Sequence, residues 1–264
     1  MSDQQSSNQT GGENLPAGWQ RENVEGLHVD LRLPRDGSPA GPVLIYLHDD
    51  DCPPVTGDSV LADVLDRFGA TVVCPGATSC WWTNQVTPDF PGPDSAVEIS
   101  PVEFLRSQLI PWVAERTGTS PPLVGLMGLG SGGQGVLQLA YRRAREFPAV
   151  AAISPAVDFH RLHGAGTVLD RLFSSPEAAR QQTATLWLHP LNWPRHQLLL
   201  CDRESPWFEG AERLAMKLSS SGIMFESDFN QSAGGDLTAA FHQSLPTAIR
   251  FLAERLELES RRLP

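Results

Sequence analysis

The sequence predicts one α/β domain with a mostly parallel sheet and helices on both faces, and three observations support this fold class. Short apolar runs alternate with amphipathic helical patterns along most of the 264 residues. Runs such as residues 43–47 and 149–154 are apolar on both faces, which is typical of parallel strands covered by helices on each side. A glycine-rich strand-turn-helix pattern lies near the middle of the chain.

Composition limits the domain organisation and the kinds of partner. The chain is 41% hydrophobic, which is enough to form one core, and the predicted domain covers residues 17–258. The polar residues 1–16 predict a disordered tail without a signal peptide, and residues 259–264 predict a second tail. A formal charge of −11 disfavours nucleic acid and anionic membranes. The four cysteines form no disulfide pattern, and no signal peptide or membrane-spanning run is apparent, so the expected location is the cytoplasm.

The first half of the chain gives three strands and two helices. Strands are predicted at residues 27–33, 43–47 and 70–74, and the first of them alternates apolar and polar residues. Residues 58–68 place their apolar side chains on one helical face. Ser100 and Glu103 have the spacing of a capping box at the start of a helix in which Pro111 predicts a kink.

The second half continues the alternation. Residues 159–193 are irregular and predict a small cap or long loop over the sheet. The remaining predicted elements are strands at 149–154, 197–201 and 224–229, a helix at 208–219, and a last helix that includes residues 245–256.

Residues 123–140 have the pattern of a nucleophile elbow, the turn that lifts a catalytic serine above the sheet of an α/β-hydrolase. In the usual G-x-S-x-G-G pattern the serine is the third residue. Here the third residue is Gly130, and Ser131 follows one position late.

Several sequence blocks resemble the esterase-D-like hydrolases, which include the S-formylglutathione hydrolases. The resemblance covers roughly residues 20–257 and implies an α/β-hydrolase fold. It rests on His48 after a buried strand and on the blocks SCWWT (79–83), GGQG (132–135), ISPA (153–156), CD (201–202) and SAGG (232–235).

The same resemblance implies that the catalytic triad is degenerate. The family's nucleophilic serine corresponds to Gly130, its aspartate to Ser205 and its histidine to Asp236. Glycine cannot form an acyl-enzyme, serine carries no charge to orient an imidazolium, and aspartate cannot replace a histidine that exchanges a proton near neutral pH. Glycine does tolerate the positive φ of the elbow, so the fold element survives without its chemistry.

The leading hypothesis is therefore a pseudoenzyme without a cofactor, which binds an unknown small molecule or protein in the former cleft or acts as a scaffold. The sequence does not predict its oligomeric state. The candidate binding residues are His48, Asp49, Trp81, Trp82 and Ser131. For the two tryptophans and His48, structural roles in the core or in hydrogen bonding are the competing interpretation.

A competing hypothesis is a weak carboxylesterase or acyl hydrolase that uses Ser131 as a displaced nucleophile. It requires a base, for which His242 is a candidate, and an acid, which Glu204 or Asp202 could supply. Alternatively, Ser131 is an elbow or helix-capping residue.

Two further patterns suggest ligands. Gly128, Gly130 and Gly133 also spell G-x-G-x-x-G, with Asp158 at a possible ribose position, but the pattern lies in mid-chain rather than in a first βα unit.

The acidic run 49–51 could attract Ca²⁺ or Mg²⁺ or remain a solvated loop. His160 and His163 lack an evident third ligand, so no metal site is predicted.

Overall fold

The computed structural model describes residues 15–35, 41–50, 52, 55–87, 90–92 and 98–263. Most of the predicted N-terminal tail and Asp51 lie outside these residues. Leu15 packs against the core. At the other end of the chain, the last helix extends to Ser260, two residues into the predicted C-terminal tail.

Eight strands form one sheet in the order β1-β2-β4-β3-β5-β6-β7-β8. β1 and β2 are antiparallel to their neighbours, and the other pairings are parallel. The strands are β1 Trp19–Val24, β2 Leu27–Arg32, β3 Val43–Leu47, β4 Thr71–Pro75, β5 Val124–Leu129, β6 Ala149–Ile153, β7 His196–Asp202 and β8 Glu226–Gln231.

Helices cover both faces of this sheet, which confirms the predicted fold class. They are α1 Ser59–Phe68, α2 Pro101–Phe104, α3 Ile110–Thr117, α4 Gly130–Arg142, α5 Leu169–Leu172, α6 Pro176–Arg180, α7 Phe208–Ser220 and α8 Leu237–Ser260. Apolar side chains of α1 and α8 form the core on one face, and those of α2, α3, α4 and α7 form the core on the other. No helix in the described residues is long and apolar enough to cross a membrane.

The structure differs from the sequence prediction at three places. β1 was not predicted, because its sequence WQRENV has buried residues only at its two ends and no period-two pattern. The kink expected at Pro111 is a π-helical turn, Leu105–Leu109, which joins α2 to α3. The predicted strand at 224–229 begins two residues later, at Glu226, and continues to Gln231.

The segment 159–193 is the predicted cap, and it contains short helices rather than a loop alone. α5 and α6 lie here, with 3₁₀ turns at Phe159–Leu162 and Ala184–Leu186. The cap has its own apolar cluster, in which Trp81 packs against Phe159 with ring centroids 5.5 Å apart.

Candidate functional site

The strand-turn-helix formed by β5 and α4 has the backbone geometry of a nucleophile elbow, with Gly130 at the turn. β5 ends at Leu129, α4 begins at Gly130, and Gly130 has a φ of +55°. A side chain is strained in this region, whereas glycine adopts it readily. The turn is also tightly packed, because a Cβ on Gly132 would collide with the backbone carbonyl of Leu47.

The space above Gly130 is filled by the carboxylate of Asp49, which follows β3. A Cβ added to Gly130 would collide with Oδ1, Cγ and Cβ of Asp49. Asp49 is only 5% exposed, and its Oδ1 accepts a hydrogen bond of 2.6 Å from the backbone N–H of Ser131. An aspartate therefore lies where the side chain of a nucleophilic serine would begin.

This contact also occupies the oxyanion hole. In α/β-hydrolases the hole is formed by the N–H of the residue after the nucleophile and an N–H from the loop after the third strand. Here the first of these, the Ser131 N–H, binds Asp49. In the loop after β3, the Asp50 N–H donates to Oγ of Ser131 over 3.1 Å. Both donors are engaged inside the protein.

Ser131, the alternative nucleophile, is buried and forms no described hydrogen bond with its proposed base or acid. Ser131 has no exposed surface, and its hydroxyl is the acceptor of the Asp50 N–H. Within the described residues, no hydrogen bond joins Ser131 to His242 or to Glu204, which is exposed. Ser131 connects the start of α4 to the loop after β3.

The residues at the family's acid position form local turns. Ser205 is buried and its Oγ accepts from the N–H of Trp207 over 3.3 Å. Asp202, the alternative acid, accepts from the N–H groups of Gly235 at 2.8 Å, Ala233 at 3.0 Å and Glu204 at 3.1 Å. These hydrogen bonds, and that of Gly235 most strongly, lower the pKa of Asp202. They also connect the 233–235 loop to the end of β7.

At the family's histidine position, Asp236 is the N-cap of α8. Its Oδ1 accepts from the N–H groups of Thr238 at 2.8 Å and Ala239 at 3.0 Å. Aspartate is a preferred residue at this position because its carboxylate satisfies helix donors that have no partner in the first turn. Its observed contacts are those of a cap.

One histidine near the cleft does pair with a carboxylate. His242 Nε2 lies 2.8 Å from Oδ2 of Asp58, whose Oδ1 caps α1 through the Leu61 N–H. This pair borders a cavity of about 420 Å³ between the starts of α1 and α8. Tyr46, Leu129 and Phe241 also line it. Leu129 precedes Gly130, so the cavity adjoins the elbow.

His48 and the two tryptophans are packed structural side chains in this conformation. His48 Nδ1 donates to the Asp49 carbonyl over 2.8 Å, and Trp82 Nε1 donates to the His48 carbonyl over 3.0 Å. Trp82 is fully buried, and Trp81 is 8% exposed between the cap and Trp207. Ser79, Trp81 and Trp82 all have positive φ, a conformation that bulky residues rarely adopt.

The other ligand patterns find little support among the described residues. No group of three metal-ligating side chains is present in them, and His163 contacts the Phe173 carbonyl. His160 carries a lowered pKa, mainly because of burial. In the G-x-G-x-x-G segment, a Cβ on Gly128 would collide with the Gly132 carbonyl, and Asp49 already binds the first turn of α4.

Sequence reasoning did not find the roles of Asp49 and Asp58. The sequence predicts Asp49 as a binding residue or part of an acidic loop, whereas in the structure its carboxylate covers Gly130 and binds the Ser131 N–H. Asp58 stands before an amphipathic helix, which is an N-cap signal, but its pairing with His242 joins residues 184 positions apart.

Comparisons with known proteins agree with this architecture. The Esterase family model, described as "Putative esterase", matches residues 82–223. No curated protein sequence matches the chain.

Among solved structures, the chain is similar to an S-formylglutathione hydrolase from Agrobacterium tumefaciens, with 15% identity, a TM-score of 0.70, and coverage of 93% of this chain and 98% of that one. It is also similar to an esterase from Pyrobaculum calidifontis, with 19% identity, a TM-score of 0.64, and coverage of 92% and 87%. At these identities the likeness shows the fold.

Proposed function

Because the chain belongs to the esterase family, we propose that it retains the family's fold without serine-hydrolase catalysis and has a binding or scaffold role. The hydrolysis named in its structural neighbours requires a nucleophile, a base and an oxyanion hole. Gly130, Ser205 and Asp236 stand at the family's triad positions, and their contacts are those of a turn, a helix start and a helix cap.

The observation that carries this proposal is the position of Asp49. Its carboxylate covers Gly130 and binds the Ser131 N–H, so carboxylate oxygens already occupy the place where a tetrahedral oxyanion would form. An ester carbonyl entering this place would meet repulsion instead of stabilisation. Loss of one oxyanion donor costs on the order of 10²–10³ in kcat, and here both kinds of donor are engaged.

The alternative, a weak acyl hydrolase using Ser131, needs an exposed hydroxyl beside a base. Ser131 is fully buried and its hydroxyl accepts the Asp50 N–H. The candidate base, His242, pairs with Asp58, and no described hydrogen bond joins it to Ser131. These contacts favour a structural role for Ser131.

Binding at the cavity beside the elbow is part of the proposal. A mostly apolar wall with one oriented imidazole is typical of small-molecule sites. If Asp58 is ionised and His242 neutral, Nε2–H donates to Asp58, and Nδ1 is left as an acceptor for a ligand N–H or O–H. The acidic chain, with a net charge of −11, supports a cytoplasmic role without nucleic acid or membrane partners.

A fluorophosphonate probe tests the loss of serine catalysis. Intact mass after incubation should show no adduct on the folded protein, while an active serine hydrolase in the same tube is labelled. The matched control is Ser131→Ala, which should behave like the wild type. A stoichiometric adduct that maps to Ser131 and disappears in Ser131→Ala would refute the proposal.

A reconstruction tests whether the four altered positions account for the loss. The variant combines Gly130→Ser, Asp49→Gly, Ser205→Asp and Asp236→His. Labelling at position 130 should appear only when Asp49→Gly accompanies Gly130→Ser, because the carboxylate fills the space that the new side chain needs. Equal labelling with Asp49 retained would show that this carboxylate does not block the site.

A further inference from the structure

A groove at the C-terminal end of α4 collects polar side chains that have no part in the elbow. It has a volume of about 440 Å³ and lies between α2, the end of α4 and residues 187–192. The thirteen residues of α4 separate it from Gly130 by about 18 Å, at 1.5 Å per residue. The groove is therefore distinct from the emptied cleft.

Arg142 enters this groove as a cation without an anionic partner. Its Nε and Nη2 are buried and make no hydrogen bond with any described residue. The guanidinium carbon lies 3.3 Å from the ring centroid of Trp187, which holds the side chain in place by a cation–π contact. Burial, and then the charge of Arg143, lower the pKa of Arg142 to about 10.

The neighbouring Tyr141 presents a second unsatisfied donor. Tyr141 is 1% exposed and lines the same groove, but its hydroxyl has no hydrogen-bond partner in the described structure. Burial raises its pKa, so the hydroxyl keeps its proton. Buried hydroxyls are nearly always hydrogen-bonded, and no described group accepts from this one, so it remains available as a donor.

The remaining lining adds positive charge and donors. Arg106 and Arg143 also line the groove, and among its described lining residues Glu103 is the one acid. Both oxygens of Glu103 are already bound by Arg106. His189 Nδ1 accepts the Leu191 N–H, so a neutral His189 carries its proton on Nε2 as a further donor. Three arginines thus line the groove of a chain whose net charge is −11, with Arg106 paired to Glu103 and Arg143 lying 3.8 Å from Glu146.

The geometry points to an oxyanion site: we infer that this groove binds the phosphate group of a small molecule, with Arg142 and the Tyr141 hydroxyl as its buried donors. Guanidinium groups bind phosphate through paired, charge-assisted hydrogen bonds, and the planar fork of Arg142 is pre-positioned on Trp187. A phosphate offers three oxygens and about two negative charges, which suits this set of donors better than one carboxylate.

A purely structural role for Arg142 makes different predictions. A cation in the last turn of a helix interacts favourably with the helix dipole, and the stem of Arg142 packs on Trp187. If this were its whole function, replacing Arg142 would lower stability but phosphate would not affect the protein. The response to phosphate therefore separates the two roles.

The test is titration of the full chain with inorganic phosphate and pyrophosphate, with potassium chloride used to match ionic strength. Calorimetry gives the Kd, and thermal unfolding gives the shift in Tm. Binding and a raised Tm are expected for the wild type. Arg142→Gln should weaken the Kd about tenfold or more, because the bidentate contact is lost. Arg145→Gln removes an equal charge from an exposed position outside the groove and should bind like the wild type.

Two milder variants keep the test decisive if Arg142→Gln does not fold. Arg142→Lys keeps the charge but loses the fork, and Tyr141→Phe removes only the hydroxyl; each should weaken phosphate binding several-fold while circular dichroism stays unchanged. The proposal is overturned if phosphate and pyrophosphate do not bind the wild type, or if these variants bind as tightly as Arg145→Gln. Tighter binding of acetate than phosphate would also overturn it.

Discussion

The two ends of α4 differ in whether their polar groups have hydrogen-bond partners. At the N-terminal end, Asp49 and Ser131 satisfy the donors that a hydrolase would keep for its reaction. At the C-terminal end, the buried donors of Arg142 and Tyr141 have no acceptor in the described structure. The donors beside the recognisable motif are engaged within the protein, and those at the end without a motif have no described acceptor.

The difference teaches that a motif marks where an ancestral fold element persists, while unsatisfied buried groups mark where a ligand is still needed. Buried polar groups are costly without partners, so they persist where a partner arrives. Three variants test this contrast, and a fourth, Asp202→Asn, tests the neighbouring loop at the end of β7; they are given in order of decreasing effect on stability.

The largest effect is expected from Gly130→Ala at the closed end. The new Cβ would take a strained positive φ and collide with Asp49, so we expect a loss of about 3 kcal/mol in the free energy of unfolding. Urea denaturation measures it. Adding Asp49→Gly should recover part of the loss, because the collision disappears. Additive losses in the double variant would show that the two residues do not compete for space.

Asp49→Ala should have the next largest effect. It leaves the buried N–H of Ser131 without an acceptor, for a cost of about 2 kcal/mol. Asp49→Asn keeps an oxygen acceptor and should cost less than half as much. Comparing both variants by urea denaturation tests this order. A fully stable Asp49→Ala protein would mean that the elbow is not closed by this carboxylate, and the contrast between the ends of α4 would be lost.

A smaller and pH-dependent effect is expected for Asp202→Asn. The N–H groups of Gly235, Ala233 and Glu204 lower the pKa of Asp202 below its ordinary value of 3.8. The ionised form is therefore favoured in the folded state, and its contribution is complete above about pH 4 and is lost as the pH falls through the lowered pKa. Wild type should exceed Asp202→Asn in stability at pH 6.

The stabilities of the wild type and of Asp202→Asn should become equal as the pH approaches 2. Thermal unfolding between pH 2 and pH 6 follows this difference. A constant difference in stability between the two proteins from pH 2 to pH 6 would contradict a lowered pKa for Asp202. Asp228→Asn, at a half-buried carboxylate of β8 that accepts the N–H of Asn230, is a matched control.

The smallest effect on stability is expected for Tyr141→Phe at the open end. Without phosphate, removing a hydroxyl that has no partner should leave the free energy of unfolding within about 0.5 kcal/mol of the wild type or raise it. A loss above about 1 kcal/mol would show that the hydroxyl is already satisfied in the free protein. Arg142 would then be the one member of the Arg142–Tyr141 pair whose buried donors have no described acceptor.

Much of the fold was predictable because it depends on local patterns. The strand Val43–Leu47 was predicted with its exact bounds, because a short apolar run bounded by turn residues fits few other secondary structures. The Ser100 cap was also found, and its Oγ accepts the Glu103 N–H. The capping box is incomplete, because the Glu103 carboxylate binds Arg106 instead of returning to the start of the helix.

The site was only partly predictable. The glycine-rich turn could be recognised from sequence, because φ above zero restricts residue choice locally, as at Gly130. The N-cap role of Asp236 was missed, although an aspartate before an amphipathic segment is a known signal. The resemblance compared Asp236 with the family's histidine and not with the start of the helix that follows it.

By itself, the sequence determined the α/β alternation, the central strands and the elbow, because hydrophobic period and backbone conformation are properties of neighbouring residues. Tertiary structure alone decided which carboxylate lies over Gly130 and that buried guanidinium nitrogens of Arg142 have no described partner. Asp49 and Ser131 are 82 residues apart and meet because β3 and β5 are adjacent in the sheet. Arg142 meets Trp187 only after the cap folds back onto α4. Hydrogen bonding and charge pairing depend on such distances in space, which the order of residues does not contain.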